Sequence, residues 1–493
     1  MKRYAKYKRR IEAEGFTSEI ISSIIAAHKP EATRMKGLYD RYDAEDAALP
    51  IRNRPEAKST AFDTHDRVAR LDKLIQNALS NSWDADIVDT KIGYLFGHPI
   101  SYSMDDTQEA DEAEVQALSN NTSDPSQKSV EVTKQLNKYA AQQEQLEKFL
   151  LRSNAEDEDS ELGKLATICG YAGRLLYLDT NGEDRLKLIE PWECIFIGDN
   201  LHEPDYSIYY YEIDGVLYAE CYDDTNVYTY KRDGSDFMLD DAIKHMYKYN
   251  PLFGVANNRE LKGDAERVLA LIDSYDRVVS DVASEIEQYR LAYLVAKGMP
   301  IDPEDMEKVN QNGIFELLGK DDELSYLTKD VNDEMIENFL NRLEKNIIRF
   351  AKSVDFTSDQ FGTQITGIAM RIKTMALENK SITMERKFVS ALRYEMKVLF
   401  SAWATRYGFA EDDYLKVFFD FKRNLPANLL DEAQTTLALM GTVSEETRLA
   451  QLSFVDNVQY ELEKLAEEKE AQALALPMTQ DFGDFGKDDE AEE

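Results

Sequence analysis

Four consecutive carboxylates, Glu156, Asp157, Glu158 and Asp159, are the densest group of potential metal ligands in the chain. Converging carboxylates can hold a magnesium ion and activate water against a phosphodiester, so a nuclease is the first chemistry to weigh. They lie in NAEDEDSE, which reads as an acidic, solvent-facing loop, and neighbouring side chains on such a loop do not converge on one ion. Asp481-Phe482-Gly483 and Asp484-Phe485-Gly486 repeat the kinase D-F-G letters, but no catalytic loop or glycine-rich strand precedes them. No G-x-x-x-x-G-K-[ST], HExxH or GxSxG occurs. Cys169, Cys194 and Cys221 form no C-x-x-C pair, and the five histidines have no ligand spacing. Tyr209, Tyr211, Tyr218, Tyr228 and Tyr230 could stack on bases. Packing across neighbouring strands explains them more simply. No catalytic residue, metal or cofactor is expected.

Charge narrows the partners. Against 58 basic residues stand 94 acidic ones, a formal net charge of −36. A protein that grips nucleic acid through phosphates is basic, whereas this surface repels a polyanion. Either the charge serves solubility, or the surface must approach DNA without adhering. The 493 residues exceed what one core usually fills. The apolar run Ile20 to Ala27 is too short for a membrane span and lacks a cleavage pattern, so neither span nor signal peptide is expected. The unpaired cysteines suit a reducing compartment.

The elements that would position any site are mixed. MKRYAKYKRR reads as a solvated basic terminus, and a short helix follows from Thr17 to His28 with Ser18 as its cap. Phe62 to Ala78 reads as helix. IVDTKIGYLFGHPISYS (87–103) opens as a helix ending near Thr90 and closes as a strand. Residues 105–128 read as an acidic mobile linker, and Val130 to Leu151 as helix. Asn181-Gly182 and Asp214-Gly215 each sit between alternating apolar runs and predict hairpins, with a further strand at NVYTYKRDG. Val268, Ile272, Tyr275, Val279, Val282, Ile286, Tyr289 and Tyr293 step by four and three, a thin heptad line on a helix over 264–293. A strand, a short helix opened by Pro303 and two strands around Lys320-Asp321-Asp322 follow. A second long helix begins near Asp333 and breaks at SVDFTSDQFGTQITG. A third runs from Ile368 to Tyr407 with an interruption at ENKSIT. VFFDFKRNLP reads as a strand stopped by Pro426. Ser444 and Asp456 then cap further helices, before a disordered acidic tail.

In this order, IVDTKIGYLFGHPISYS, GYAGRLLYLDTNGEDRLKLIEPWECIFIGD, SVDFTSDQFGTQITGIAMRIK and the stretch from FDFKRNLPANLLDEA to NVQYELEKL resemble the SPP1-type portal family of tailed bacteriophages. The similarity covers nearly the whole chain. Thr366-Gly367 stands where the family usually has Ser-Gly, a conservative departure.

The resemblance implies an α+β portal fold with long stem helices, a β-rich wing, a small α/β clip and an α-helical crown. It implies an N-terminal arm and helix at 1–60, a wing at 61–263, stem helices at 264–293 and 332–353, a clip at 294–331 and a tunnel loop at 354–366. A long wing or channel helix and strand at 367–425, a crown at 426–475 and an acidic tail at 476–493 complete it. The function implied is a ring of twelve subunits, or thirteen in recombinant protein, at one capsid vertex of the virion, assembled in the bacterial host cytoplasm. Double-stranded DNA would pass through the channel, held weakly and non-specifically. Terminase large subunit, major capsid and scaffolding proteins and a head-completion adaptor would be the partners, with no membrane. Thr357, Ser358, Asp359, Gln360, Phe361, Gly362, Thr363 and Gln364 would face DNA. Asp305, Lys308, Lys320, Asp321, Asp322 and Glu323 would dock terminase. Val268, Ile272, Tyr275, Val279, Val282 and Ile286 would pack subunits in the ring. The competing readings are an acidic coiled-coil scaffold of capsid assembly and, after it, the magnesium nuclease.

Overall fold

The computed structural model describes residues 4–54, 76–104, 140–289, 293–297, 323–327, 333–356, 367–425, 429–449 and part of 451–469. The chain divides into two compact units, Met1–Asn424 and Leu425–Glu493. In the first, the basic start is a helix, α1 (Ala5–Glu14), and not a frayed arm: Tyr4, Tyr7 and Ile11 are buried while its lysines and arginines face out. Helix α2 (Ser18–Tyr42) runs well past His28, through Pro30. Its cap is Thr17, whose hydroxyl accepts from the Ile20 amide at 3.4 Å. Ser18 instead accepts from the Phe237 amide at 2.8 Å, tying the helix to a strand.

Helix α3 (Trp83–Phe96) continues through Gly93, six residues beyond Thr90, before β1 (Ser101–Met104). Burial of Ile87, Val88, Lys91, Tyr94 and Leu95 along one face holds that last turn in place. Residues 76–82, where the end of a helix through Ala78 was expected, form no helix: every second amide from Asn77 to Asn81 turns toward a later helix, and Ser82 is left-handed at φ of 49°; 62–75 and the linker at 105–128 lie outside the described residues. Helix α4 is described over 140–153, and NAEDEDSE is helix too, opening α5 (Ala155–Cys169). Glu156, Asp157 and Glu158 occupy the first turn, where the helix dipole favours negative charge.

Eight strands follow: β2 (Tyr171–Leu178), β3 (Asp184–Ile189), β4 (Cys194–Ile197), β5 (Tyr206–Ile213), β6 (Val216–Tyr222), β7 (Asn226–Asp233), β8 (Asp236–Lys244) and β9 (Leu252–Ala256). They make an antiparallel sheet in the order β3-β2-β9 and another in the order β4-β5-β6-β7-β8. Both expected hairpins form. Asp214 and Gly215, at φ of 53° and 76°, give the left-handed pair a tight two-residue turn needs. Tyr211 lies opposite Tyr218 with ring centroids 5.8 Å apart, so the tyrosines pack across strands.

Next come α6 (Leu269–Tyr289), β10 (Tyr293–Lys297) antiparallel to β11 (Glu323–Leu327), and α7 (Asp333–Ala351). Helix α8 (Gly367–Tyr407) is continuous over 41 residues and is not interrupted at ENKSIT. Three of the polar side chains there find partners without breaking the helix, while Ser381 Oγ is buried without a hydrogen-bond partner. Glu378 takes Arg423, Lys380 reaches the Ala351 carbonyl, and Thr383 donates back to Asn379. A 3₁₀ turn (Glu411–Lys416) leads into β12 (Val417–Asp420), which pairs with β1. The largest core gathers α3, α4, α5, β2, β3 and β9 around the buried face of α8, with Phe388, Phe400 and Trp403 fully enclosed. In the second unit, α9 (Leu429–Ala438) precedes α10 (Glu445–Leu449), which Ser444 caps through the Thr447 amide at 3.3 Å. The cap expected at Asp456 lies outside the described residues.

Gly93 and Gly97 are not equivalent. A Cβ on Gly97 would sit 2.3 Å from both the Asn424 side chain and the Gly93 carbonyl, while one on Gly93 would meet nothing within 4 Å. Gly97→Ala should therefore lower unfolding stability by about 1–3 kcal/mol through overpacking. Gly93→Ala should leave stability unchanged or raise it by up to about 1 kcal/mol through helix propensity. Denaturant melts of the two variants, side by side with the parent, check both signs.

Candidate channel and subunit-packing site

Helices α6 and α7 pack together; α6 covers 269–289 and not the expected 264–293, so Val268 lies one residue before it and Tyr293 in β10, and the heptad line divides along its length. Val268 and Ile272 are buried within the chain against Ile87, Ile347 and Ala351. Tyr275 meets Trp83 edge-on at 5.6 Å. Val279 and Val282 are half-buried, and Ile286 is 65% exposed. Only the far part of the line is therefore open to another molecule. Helix α7 adds exposed Phe339 and Phe350, and the start of α8 adds Ile372 and Met375.

A second, polar row runs along α6. Asp276, Ser280 and Ser284, four residues apart, are all buried and bond to the segment 77–81. Ser284 Oγ accepts from the Asn77 amide at 2.8 Å, Ser280 Oγ from Leu79 at 2.9 Å, and Asp276 Oδ1 from Asn81 at 3.0 Å. Arg54 reaches the same helix through Asp281 at 2.5 Å.

Where the helices meet the sheet domain, charge is buried. The Lys91 ammonium is fully enclosed, donating to Asn257 Oδ1 at 2.6 Å and lying 3.2 Å from Asp264 Oδ2. Lys380 of α8 lies 2.9 Å from the same oxygen and donates to the Ala351 carbonyl at the end of α7, also at 2.9 Å. Asn257 Nδ2 donates to Asp264 Oδ1 at 2.8 Å, and the Asp264 amide to the Thr167 carbonyl. Burial pushes the Asp264 carboxyl up, but Lys91 and Lys380 overcome it and hold it down at about 2. Burial pulls the Lys91 ammonium down to about 8, against the attraction of Asp264. A second cluster joins Glu378, Arg423 and Glu385, with the Tyr94 hydroxyl donating to Glu378 at 2.6 Å.

The residues singled out from the sequence are only partly brought together. Thr357 to Gln364 lie outside the described residues, as do Asp305, Lys308, Lys320, Asp321 and Asp322. Glu323 opens β11, opposite Lys297 of β10. Asp159 is no solvated ligand; it is buried against Arg174 at 2.6 Å. Among the described residues no group of three His, Cys, Asp or Glu is arranged to hold a metal ion, and no helix is long and apolar enough to cross a membrane. Sequence reasoning missed Lys91, Asp264 and Lys380. The signal for the first was present: Lys91 falls on the apolar face of α3, four residues from Ile87 and four before Leu95.

The family model described as phage portal protein, SPP1 Gp6-like, matches residues 21–474. The chain belongs to the SPP1 Gp6-like phage portal protein family. It is similar to the portal protein of Bacillus phage SPP1, at 22% identity over 98% of this chain and 95% of that protein. It is also similar to the portal protein of Clostridium phage phiCD119, at 22% identity over 94% of this chain and 98% of that one. Within this portal family member, the buried Lys91–Asp264–Lys380 group marks where α6 starts, where α7 ends and where α8 passes both.

Replacing Asp264 by Asn leaves two enclosed ammonium groups facing each other. The cost should be about 3–5 kcal/mol at pH 7, the usual penalty for removing one partner of a buried ion group. Because the Asp264 carboxyl is held below its ordinary range, its contribution is complete above pH ~4 and is lost as pH falls through about 2. The gap between parent and Asp264→Asn in denaturant melts should therefore be constant from pH 7 to pH 4 and narrow toward pH 2. A gap that does not change below pH 4 would contradict the assignment.

Proposed function

We propose that this portal family member assembles as a closed ring at one capsid vertex, through which double-stranded DNA is packaged and ejected, and that it works as a structural conduit without catalysis. The observation that carries this reading is the placement of Ile286, Phe339, Phe350, Ile372 and Met375, all exposed on α6, α7 and the start of α8. The opposite sides of these helices are anchored in the core and in the buried ion group. Large apolar side chains exposed on helices so anchored call for another protein surface. Neighbouring copies in a ring supply one. A two-stranded coiled coil would instead need the α6 line open throughout, and Val268 and Ile272 are committed inside the chain, which weighs against the scaffold reading.

The residues 354–366 joining α7 to α8 would be the tunnel loop, and β10–β11 with the residues between them the clip that docks terminase large subunit. Capsid and scaffolding proteins and a head-completion adaptor would meet other faces. Support for the loop comes from its chemistry: no lysine or arginine occurs between Ser353 and Met370, and Thr357, Ser358, Gln360, Thr363 and Gln364 offer uncharged polar groups. With a net charge of −36 on the chain, such a lining would let a polyanion slide without adhering.

Negative-stain imaging of the purified chain should show rings with a central hole. Phe339→Asp combined with Met375→Asp should keep the parent's helical circular dichroism while abolishing rings in sedimentation. Rings that survive both charges would remove these residues from the subunit contact.

Asp359→Lys with Gln360→Lys should spare ring and prohead assembly but stall packaging at low salt, with recovery as salt screens the new phosphate contacts. DNA packaged per prohead against ionic strength is the readout. Parent-level packaging at low salt would show that the loop does not line the channel.

A further inference from the structure

Under the long helix α8 lies a second buried charge group that the conduit reading does not use. Arg174 of β2 is fully enclosed and faces two carboxylates, Asp159 of α5 at 2.6 Å and Glu395 of α8 at 3.1 Å. Tyr102 of β1 donates its hydroxyl to Asp159 Oδ2 at 2.6 Å. Glu158 of α5 also faces Arg174, with its Oε2 buried and without a hydrogen-bond partner. One guanidinium thus stands against two enclosed carboxyls and the edge of a third.

The two enclosed acids are not held alike. Asp159 Oδ1 has the shorter ion-pair contact to Arg174, though outside hydrogen-bonding geometry, and its Oδ2 accepts from the Tyr102 hydroxyl besides. Glu395 has a single, longer contact from Arg174 to Oε2, while its Oε1 is buried with no partner. An unpaired anionic oxygen in a solvent-free site is costly, and a carboxyl so placed takes up a proton in preference to staying charged. We propose that Glu395 is a buried proton-binding site, neutral when the protein is folded under mildly acidic to neutral conditions, and that the Arg174 charge belongs to Asp159 alone. Burial pushes Glu395 up to about 7, against the pull of Arg174 and with help from Asp159.

The consequence is a joint whose strength depends on pH. Between the ordinary glutamate range and pH ~7 the folded chain holds a proton that the unfolded chain releases, so stability falls as pH rises through that window and levels off above it. The ionised form places a second, poorly paired anion between α8, α5 and β2. Raising pH therefore loosens the contact between α8 and the elements beneath it. This inference is independent of whether the chain forms a ring.

The test uses the full chain. Glu395→Gln, which copies the neutral form, should match the parent in unfolding midpoint near pH 5. It should gain about tenfold in folding equilibrium over the parent for each pH unit up to 7. Asp159→Asn, which strips Arg174 of its charged partner, should destabilise at every pH. If Glu395→Gln destabilises at pH 7 as Asp159→Asn does, or fails to fold, both acids are ionised and the proposal falls. A separate arm needs no variant: the parent at pH 6 should show the infrared carbonyl stretch of a protonated buried carboxylic acid, lost on raising pH above 8. Absence of a band that titrates in this way would equally overturn it.

Discussion

Two lysines sharing one buried aspartate govern how the first unit holds together. Lys91 comes from α3, Asp264 from the residues just before α6, and Lys380 from the middle of α8, while the Ala351 carbonyl to which Lys380 donates closes α7. Four helices are thereby fixed at one point by charge that cannot be exchanged for water. Apolar packing tolerates a half-turn slip of one helix against another, whereas an ammonium without its carboxylate in this place is expensive enough to forbid it. The group fixes register, and the hydrophobic contacts around Ile87, Ile272 and Ile347 supply the bulk of the adhesion.

Much of this arrangement was legible in the sequence, and its limits have physical reasons. The hairpins at Asn181-Gly182 and Asp214-Gly215 could be read because turn chemistry is local. The line from Val268 to Ile286 could be read because helical periodicity is local as well. Its division into a part buried within the chain and a part left open depends on Trp83, Ile87 and Ile347, far away in sequence, and no spacing rule reports them. NAEDEDSE looked like a loop because six other polar residues outweigh the buried Ala155 and Asp159. ENKSIT looked like a break because the partners of Glu378 and Lys380, at Arg423 and Ala351, are distant. Polar residues inside a helix read as breaks whenever their partners come from elsewhere in the chain.

The same contrast applies to the functional assignment. The order of four weakly specific segments along the chain pointed to the portal family, and the match over residues 21–474 agrees. In the first of those segments the described side chains are engaged in packing. The stretch IVDTKIGYLFGHPISYS carries one buried cation, three buried side chains at Tyr94, Leu95 and Phe96, and a glycine against which Asn424 rests.

The segment 77–81 along α6 has a consequence of its own, which follows from two unequal rulers. Four residues of helix advance about 6 Å. Two residues of extended chain advance about 6.6 Å. Side chains at every fourth helical position can therefore meet every second amide of a strand laid alongside, as Asp276, Ser280 and Ser284 meet Asn81, Leu79 and Asn77. The offset grows by about 0.6 Å per step, so such a match fades after a few rungs, and the next helical position on the row is the apolar Ile272. Since the helix touches only main chain at two of its three rungs, the constraint on sequence falls almost wholly on one partner. Short hydroxyl side chains are demanded at 280 and 284, while the side chains of Asn77 and Leu79 are left free to diverge.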